Sequence, residues 1–170
     1  MMTPGTHWAI DAWHAPVQSM ITKHCKALHF VDECSGFGYC YSADTDDTCA
    51  WVEAGAEWLL AEATFGHKPL RVKADAGIFR HEGARRELER ALKCKVEAGA
   101  GDDHEGGAGA AEASMDWYTR RTSAAMMRAA VGDMCPDSLN LECRMYQVAV
   151  GNDVPKATER ASRLQVHTQK

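Results

Sequence analysis

Between Ala27 and Val96 the chain switches repeatedly between strand-like and helix-like apolar spacing, and this alternation limits its possible folds more than any single motif does. Ala27–Tyr41 (ALHFVDECSGFGYCY) carries the β-formers Phe30, Val31, Tyr39 and Tyr41 on either side of Ser35-Gly36 and reads as two strands around a turn. Asp44–Asp47 is an acidic, cap-like run. Cys49–Ala63 then sets Trp51, Ala54, Trp58, Leu59 and Glu62 at helical spacing. Lys68–Lys73 (KPLRVK) reads as a short strand entering Asp75-Ala76-Gly77, Glu82–Leu92 as a helix with apolar Leu88, Ala91 and Leu92, and Lys93–Val96 as another strand. With the short apolar stretch Trp8-Ala9-Ile10 in front, the order is β, β-hairpin, α, β, α, β. It predicts an α/β protein whose mixed sheet is covered by helices.

After Val96 the composition changes. Glu97–Ala111 (EAGAGDDHEGGAGAA) holds five glycines and almost no large apolar side chain, which predicts a mobile loop. A long helix is expected from Ala110 to Ala130, with Met115, Tyr118, Ala125, Met126 and Ala129 near one face. Cys135-Pro136-Asp137 breaks the chain, and Ser138–Val150 reads as a further helix ending before Gly151-Asn152. The segment from Pro155, with Lys156, Arg160, Arg163 and Lys170, is expected to be a short, fraying helix. A length of 170 residues fits one domain with a tail.

The formal charge is -5, from 24 acids and 19 bases, which argues against a general nucleic-acid coat. The distribution differs from the average: Lys68–Lys95 holds nine bases against four acids, and it surrounds Asp75. The first ten residues lack a basic stretch followed by a long apolar one, and no run approaches eighteen apolar residues, so the expectation is an intracellular protein with no membrane segment. Seven cysteines then read as reduced thiols. A zinc site from Cys25, Cys34, Cys40 and Cys49 stands as an alternative to buried thiols, although no C-x-x-C knuckle is present. Cys40, in Gly38-Tyr39-Cys40-Tyr41, also invites comparison with a papain-like nucleophile, a chemistry that needs a neighbouring histidine.

Three acids sit where a strand end or helix start would expose them: Asp11 after Trp8-Ala9-Ile10, Asp75 after Leu70–Lys73, and Glu112 at the start of the long helix. Carboxylates so placed suit hard divalent cations, although most of the 24 acids need only be solvated. The stretches around them add a resemblance. Trp8–Pro16 (WAIDAWHAP), Leu28–Phe37 (LHFVDECSGF), Leu70–Phe79 (LRVKADAGIF), His104–Glu112 (HEGGAGAAE), and Ala124–Met127 with Leu139–Asn152 and Pro155 together resemble the integrase catalytic core of copia-type retrotransposons, in the retroviral integrase superfamily. The resemblance spans residues 7 to 157.

This resemblance implies a ribonuclease-H-like fold with a central mixed five-stranded sheet flanked by helices. It divides the chain into a core over residues 1–157 and a basic tail or linker start over 158–170. It implies a polynucleotidyl transferase in which Asp11, Asp75 and Glu112 hold two Mg²⁺ or Mn²⁺ ions for 3′-end processing and strand transfer. Asp32 corresponds to a second-strand position that is not a ligand. The implied partners are DNA, both element ends and target, and further copies of the chain in a homodimer or higher oligomer. The implied location is the nucleus or a virus-like particle if the source is a eukaryotic retroelement. His104, Arg120 and Arg121 are candidate DNA contacts, with plain solvation the alternative for His104. The helix face carrying Trp51 and Trp58 is a candidate contact between copies, or equally two core tryptophans. Two positions depart from the family pattern: Ala76 and Ala108 stand where asparagine is usual. They keep open a decayed or domesticated domain that retains the fold as a dimerisation or partner-binding module.

Overall fold

The computed structural model describes residues 2–45, 47–74, 76–79, 81–98, 109–129, 137–154 and 161–168. The strands are β1 (His7–His14), β2 (Lys26–Asp32), β3 (Gly38–Ala43), β4 (Arg71–Ala74) and β5 (Lys95–Ala98). The helices are α1 (Thr48–Glu62), α2 (Ala76–Phe79), α3 (Glu82–Leu92), α4 (Gly109–Ala129), α5 (Asn140–Gly151) and α6 (Arg163–Thr168), with a 3₁₀ turn, Asp137–Leu139, leading into α5. The strand order is β3-β2-β1-β4-β5. β1, β2 and β3 are antiparallel neighbours, while β4 and β5 run parallel to β1. This is the expected mixed five-stranded sheet.

Local chemistry sets most of the boundaries. Gly36 takes φ 71° at the tip of the β2–β3 turn, where Asp32 and Phe37 close the hairpin backbone. Asp47 caps α1 by accepting from the amides of Cys49 (2.9 Å) and Ala50 (3.2 Å). Lys93, in the left-handed region at φ 52°, ends α3. β5 therefore starts at Lys95, two residues later than the sequence suggests, and β4 starts at Arg71, three residues later.

Alternation along the strands separates two faces. On one, Trp8, Ile10, Leu28, Phe30 and Val72 pack beneath α1 and α3 with Trp51, Val52, Leu59, Leu88 and Leu92. Gly55 lets α1 lie directly on β2, since a Cβ there would stand 2.7 Å from Leu28 Cδ1. Trp51 belongs to this core, whereas Trp58 is 52% exposed and stacks on Tyr41. On the other face α4 lies over β1 and β2, and α5 over β3. Ala27, Cys40, Tyr118, Leu141 and Val148 form a smaller apolar cluster there.

The C-terminal segment is docked rather than frayed. His167 on α6 is fully buried: its Nε2 donates to the Ala63 carbonyl (2.7 Å) and its ring stacks on Phe37 at 4.5 Å. Arg163 lies over the Trp117 ring and donates to the carbonyls of Gly151 and Val154. Asn152 closes the end of α5 on β3, accepting from the Gly38 amide at 2.8 Å and donating to the Gly38 carbonyl at 2.9 Å.

Candidate functional site

β1 organises the site. Trp8 and Ile10 enter the large core, so Ala9, Asp11 and Trp13 fall on the α4–α5 face. The parallel register sets Ile10 opposite Ala74, and the antiparallel register sets Asp11 opposite His29. Asp11 is half-buried, and its Oδ1 accepts from the Ala12 amide at 2.7 Å. Asp75 follows the last residue of β4 and lies outside the described residues, as does His104. Glu112 belongs to the first turn of α4, and its side chain also lies outside what is described. The glycine-rich loop and Ala108 share that limit.

The two candidate arginines differ. Arg120 is exposed, 3.8 Å from Asp116. Arg121 is half-buried: its Nε donates to Gln147 Oε1 at 3.2 Å and its guanidinium covers Trp117. The basic run around Asp75 is also largely spent within the fold. Arg71 pairs with Glu97, Lys73 with Glu33 (2.9 Å), Arg86 with Glu82 (2.6 Å), Arg90 with Glu53 and Glu87, and Lys95 approaches Glu97. The local positive charge of that run is thus mostly compensated.

Beneath Asp11 lies a buried polar cluster that the sequence reading did not single out. His29 Nε2 is 3.2 Å from Ser114 Oγ, and its ring meets Tyr118 edge-on. From α5, the fully buried Arg144 donates from Nη1 to Thr119 Oγ1 (2.9 Å) and from Nη2 to Met115 Sδ (2.8 Å), and it lies over Trp13 at 4.6 Å. Burial, then Arg144, holds the His29 pKa down to about 3, so its imidazole is neutral at neutral pH. Burial pushes Cys40 and Tyr118 up to about 12. A nucleophilic cysteine needs the opposite shift, which removes the papain-like reading of Cys40. Among the described residues no three His, Cys, Asp or Glu side chains gather as metal ligands; Cys25 is exposed while Cys40 is buried. His29 hides in the strand pattern ALHFV because alternation turns it away from Leu28 and Phe30, and Arg144 is the one base of α5.

Asp32 has a different environment. It accepts from the Gly5 amide (3.0 Å), the Ser35 amide (2.8 Å) and hydroxyl (2.6 Å), and it faces His167 Nδ1 at 3.3 Å. Burial pushes its pKa up, but the bonds from His167 and Ser35 outweigh that and hold it below the ordinary value. Its oxygens are occupied in joining the hairpin to α6.

No family model matches the sequence, and no curated protein matches it. Solved structures do match. The HTLV-2 integrase catalytic core domain in complex with magnesium, in its dimeric form, aligns over 98% of this chain and 98% of its own at a TM-score of 0.63 and 18% identity. The BIV integrase catalytic core domain aligns over 96% and 93% at 0.61 and 15%. The fold is that of a retroviral integrase catalytic core, a ribonuclease-H-like fold. A chain of the simian T-cell lymphotropic virus intasome in complex with the PP2A regulatory subunit B56 gamma aligns over all of this chain at 0.70 and 14% identity, and this chain spans 56% of it. Among the described residues no helix is long and apolar enough to cross a membrane.

Proposed function

We propose that the chain is the catalytic core of a metal-dependent polynucleotidyl transferase, with Asp11, Asp75 and Glu112 as its ligands. The pairing of Ile10 with Ala74 carries this reading, since these two residues immediately precede the two aspartates in parallel neighbouring strands. Further support comes from α4, which carries Glu112 in its first turn and lies over β1 and β2, with Ser114 against the His29 that pairs with Asp11. The donor set fits the ions: three carboxylates are hard oxygen ligands, as Mg²⁺ and Mn²⁺ require, and the HTLV-2 cores of the same fold are complexes with magnesium. Two such ions, when bound, would lower the pKa of an attacking water or 3′-hydroxyl and stabilise the leaving oxygen. The chain itself supplies a rigid β1 to hold Asp11, a backbone amide that orients one of its oxygens, and neutral His29 behind it. No histidine base is needed.

In this reading residues 1–157 form the core and 158–170 lead from it, with α6 fastened by His167. DNA is the substrate, and copies of the chain associate as the HTLV-2 cores do in dimeric and trimeric forms; if the source is a eukaryotic retroelement, the protein works in the nucleus or a virus-like particle. The kinship to copia-type elements belongs to the same proposal, as do DNA contacts by His104, Arg120 and Arg121. The test is Mn²⁺-dependent disintegration of a branched DNA substrate. Asp75→Asn is expected to abolish it, and activity that survives the substitution contradicts the triad. Ala76 and Ala108 favour a second reading, a domain that keeps the fold for partner binding without catalysis. In that case Mn²⁺ leaves the melting temperature unchanged, whereas an ion held by Asp11 raises it in the native chain and not in Asp11→Asn.

A further inference from the structure

The two edges of the sheet are finished differently. β5 carries Lys95 and Glu97, and charged side chains of this kind deter pairing with another chain. β3, GYCYSA, has neither a charge nor a proline. Its hydrogen bonds show which of its groups face outward. The Phe37 carbonyl accepts from the Asp32 amide, toward β2, whereas the amide and carbonyl of Gly38 turn away from β2 and meet the Asn152 side chain. The β2–β3 register is unbroken from Gly38 to Ala43, so alternation turns the amide and carbonyl of Cys40 and of Ser42 outward as well. Among the described residues nothing bonds these four groups.

Apolar surface flanks this open edge on both sides. Toward α5, a groove of about 390 Å³ runs along Gly38, Tyr39 and Cys40, walled by Met145, Val148 and Ala149 and by Leu164 of α6. Toward α1, the exposed Trp58 stacks on Tyr41. Exposed acids stand at both ends: Asp153 lines the groove, and Asp44 follows the last residue of β3. Lys26, opposite Ala43, is turned over the Trp51 ring.

We propose that the outer edge of β3 receives an extended segment of a partner protein, which joins the sheet as an added strand, apolar at alternate positions and basic at its ends. Main-chain bonds to Cys40 and Ser42 hold it, and the α5 groove and Trp58 select its side chains. Asp153 and Asp44 attract its ends. A docked helix has no backbone groups to spare for the edge, whereas an extended segment pairs all four. The proposal is independent of the triad and of DNA.

The experiment follows amide hydrogen exchange by NMR on the full chain, with a short synthetic peptide of alternating valine and threonine, lysine at both ends, as the probe. In the free chain the amides of Cys40 and Ser42 should exchange at least about a hundredfold faster than those of Tyr39 and Tyr41, which face β2. Millimolar peptide should slow Cys40 and Ser42 at least about tenfold. Ser42→Pro removes an outward donor without touching the bonds to β2, and should weaken peptide binding about tenfold. Should that variant fail to fold, the native chain is tested with a peptide N-methylated at alternate amides, for which the same loss is expected. Trp58→Ser, at an exposed position, should weaken binding about fivefold. Protection of Cys40 and Ser42 in the free monomer would show that the chain covers its own edge, and protection that grows with protein concentration would make a second copy the occupant. Either result overturns the proposal, as does a peptide that slows neither amide or that binds regardless of Ser42→Pro and N-methylation.

Discussion

The two faces of the sheet are built from the same strands to opposite specifications. Under α1 and α3 the strands present Trp8, Ile10, Leu28, Phe30 and Val72, a continuous apolar layer whose residues need only shape and volume. Under α4 and α5 the intervening residues present Asp11, His29, Cys40 and, from the helices, Tyr118 and Arg144, a polar set within a largely apolar interior. His29 Nδ1, Tyr118 Oη and Arg144 Nε have no hydrogen-bond partner among the described residues. Buried polar atoms in that state cost stability, so a fold retains them where charge placement matters. One face holds the protein together and the other holds Asp11.

Substitutions can break this division of labour. The largest stability loss should come from the apolar face: Leu59→Ala, in a fully buried position, should cost about 3 kcal/mol in urea unfolding and leave the Mn²⁺ dissociation constant unchanged. A loss of Mn²⁺ binding there would show the two faces to be coupled. Next comes acid sensitivity from the polar face. His29 is neutral when folded, with a pKa of about 3 against 6.5 in the unfolded chain, so the unfolded state takes up the proton first as pH falls through 6.5. Its stabilisation is complete above 6.5 and is lost progressively down to about 3. Native stability should fall by about 2 kcal/mol between pH 6.5 and 5, and His29→Leu should flatten that slope. Asp32 has a depressed pKa, so its stabilisation is complete above the ordinary value of 3.8 and is lost below this window.

Two smaller effects sharpen the contrast within the polar face itself. Asn152 satisfies both backbone groups of Gly38, and Asn152→Ala should cost about 1.5 kcal/mol by leaving them unpaired. Tyr118→Phe removes a hydroxyl that has no partner among the described residues and should change stability by less than about 0.5 kcal/mol, in either direction. A larger loss for Tyr118→Phe than for Asn152→Ala would mean that the polar cluster is held together by bonds other than those seen.

The apolar face was legible in the sequence because it follows from spacing. Period-2 runs marked β2 and β3, helical spacing marked α1 and α3, and the order of these elements led to the mixed sheet. Strand starts were misplaced where a single backbone angle decided them, as at Lys93. The polar face was legible in part: Asp11 stood out by its place at a strand end, and the resemblance added its role. Its other members have no pattern of their own: His29 occupies a position that alternation alone turns inward, and Arg144 comes from a helix 133 residues after Asp11. The docking of α6 was missed for a similar reason. A lone His167 in a polar tail gives no sign that Asp32, Ser35 and Ala63 wait for it.

The central claim is that Asp11 and Asp75 share a divalent cation, and it is tested most directly by anomalous scattering from crystals of the full chain soaked in Mn²⁺. The account predicts a peak within coordination distance of both aspartates, absent from crystals of Asp11→Asn. No peak there, or one that persists unchanged in the variant, would contradict it.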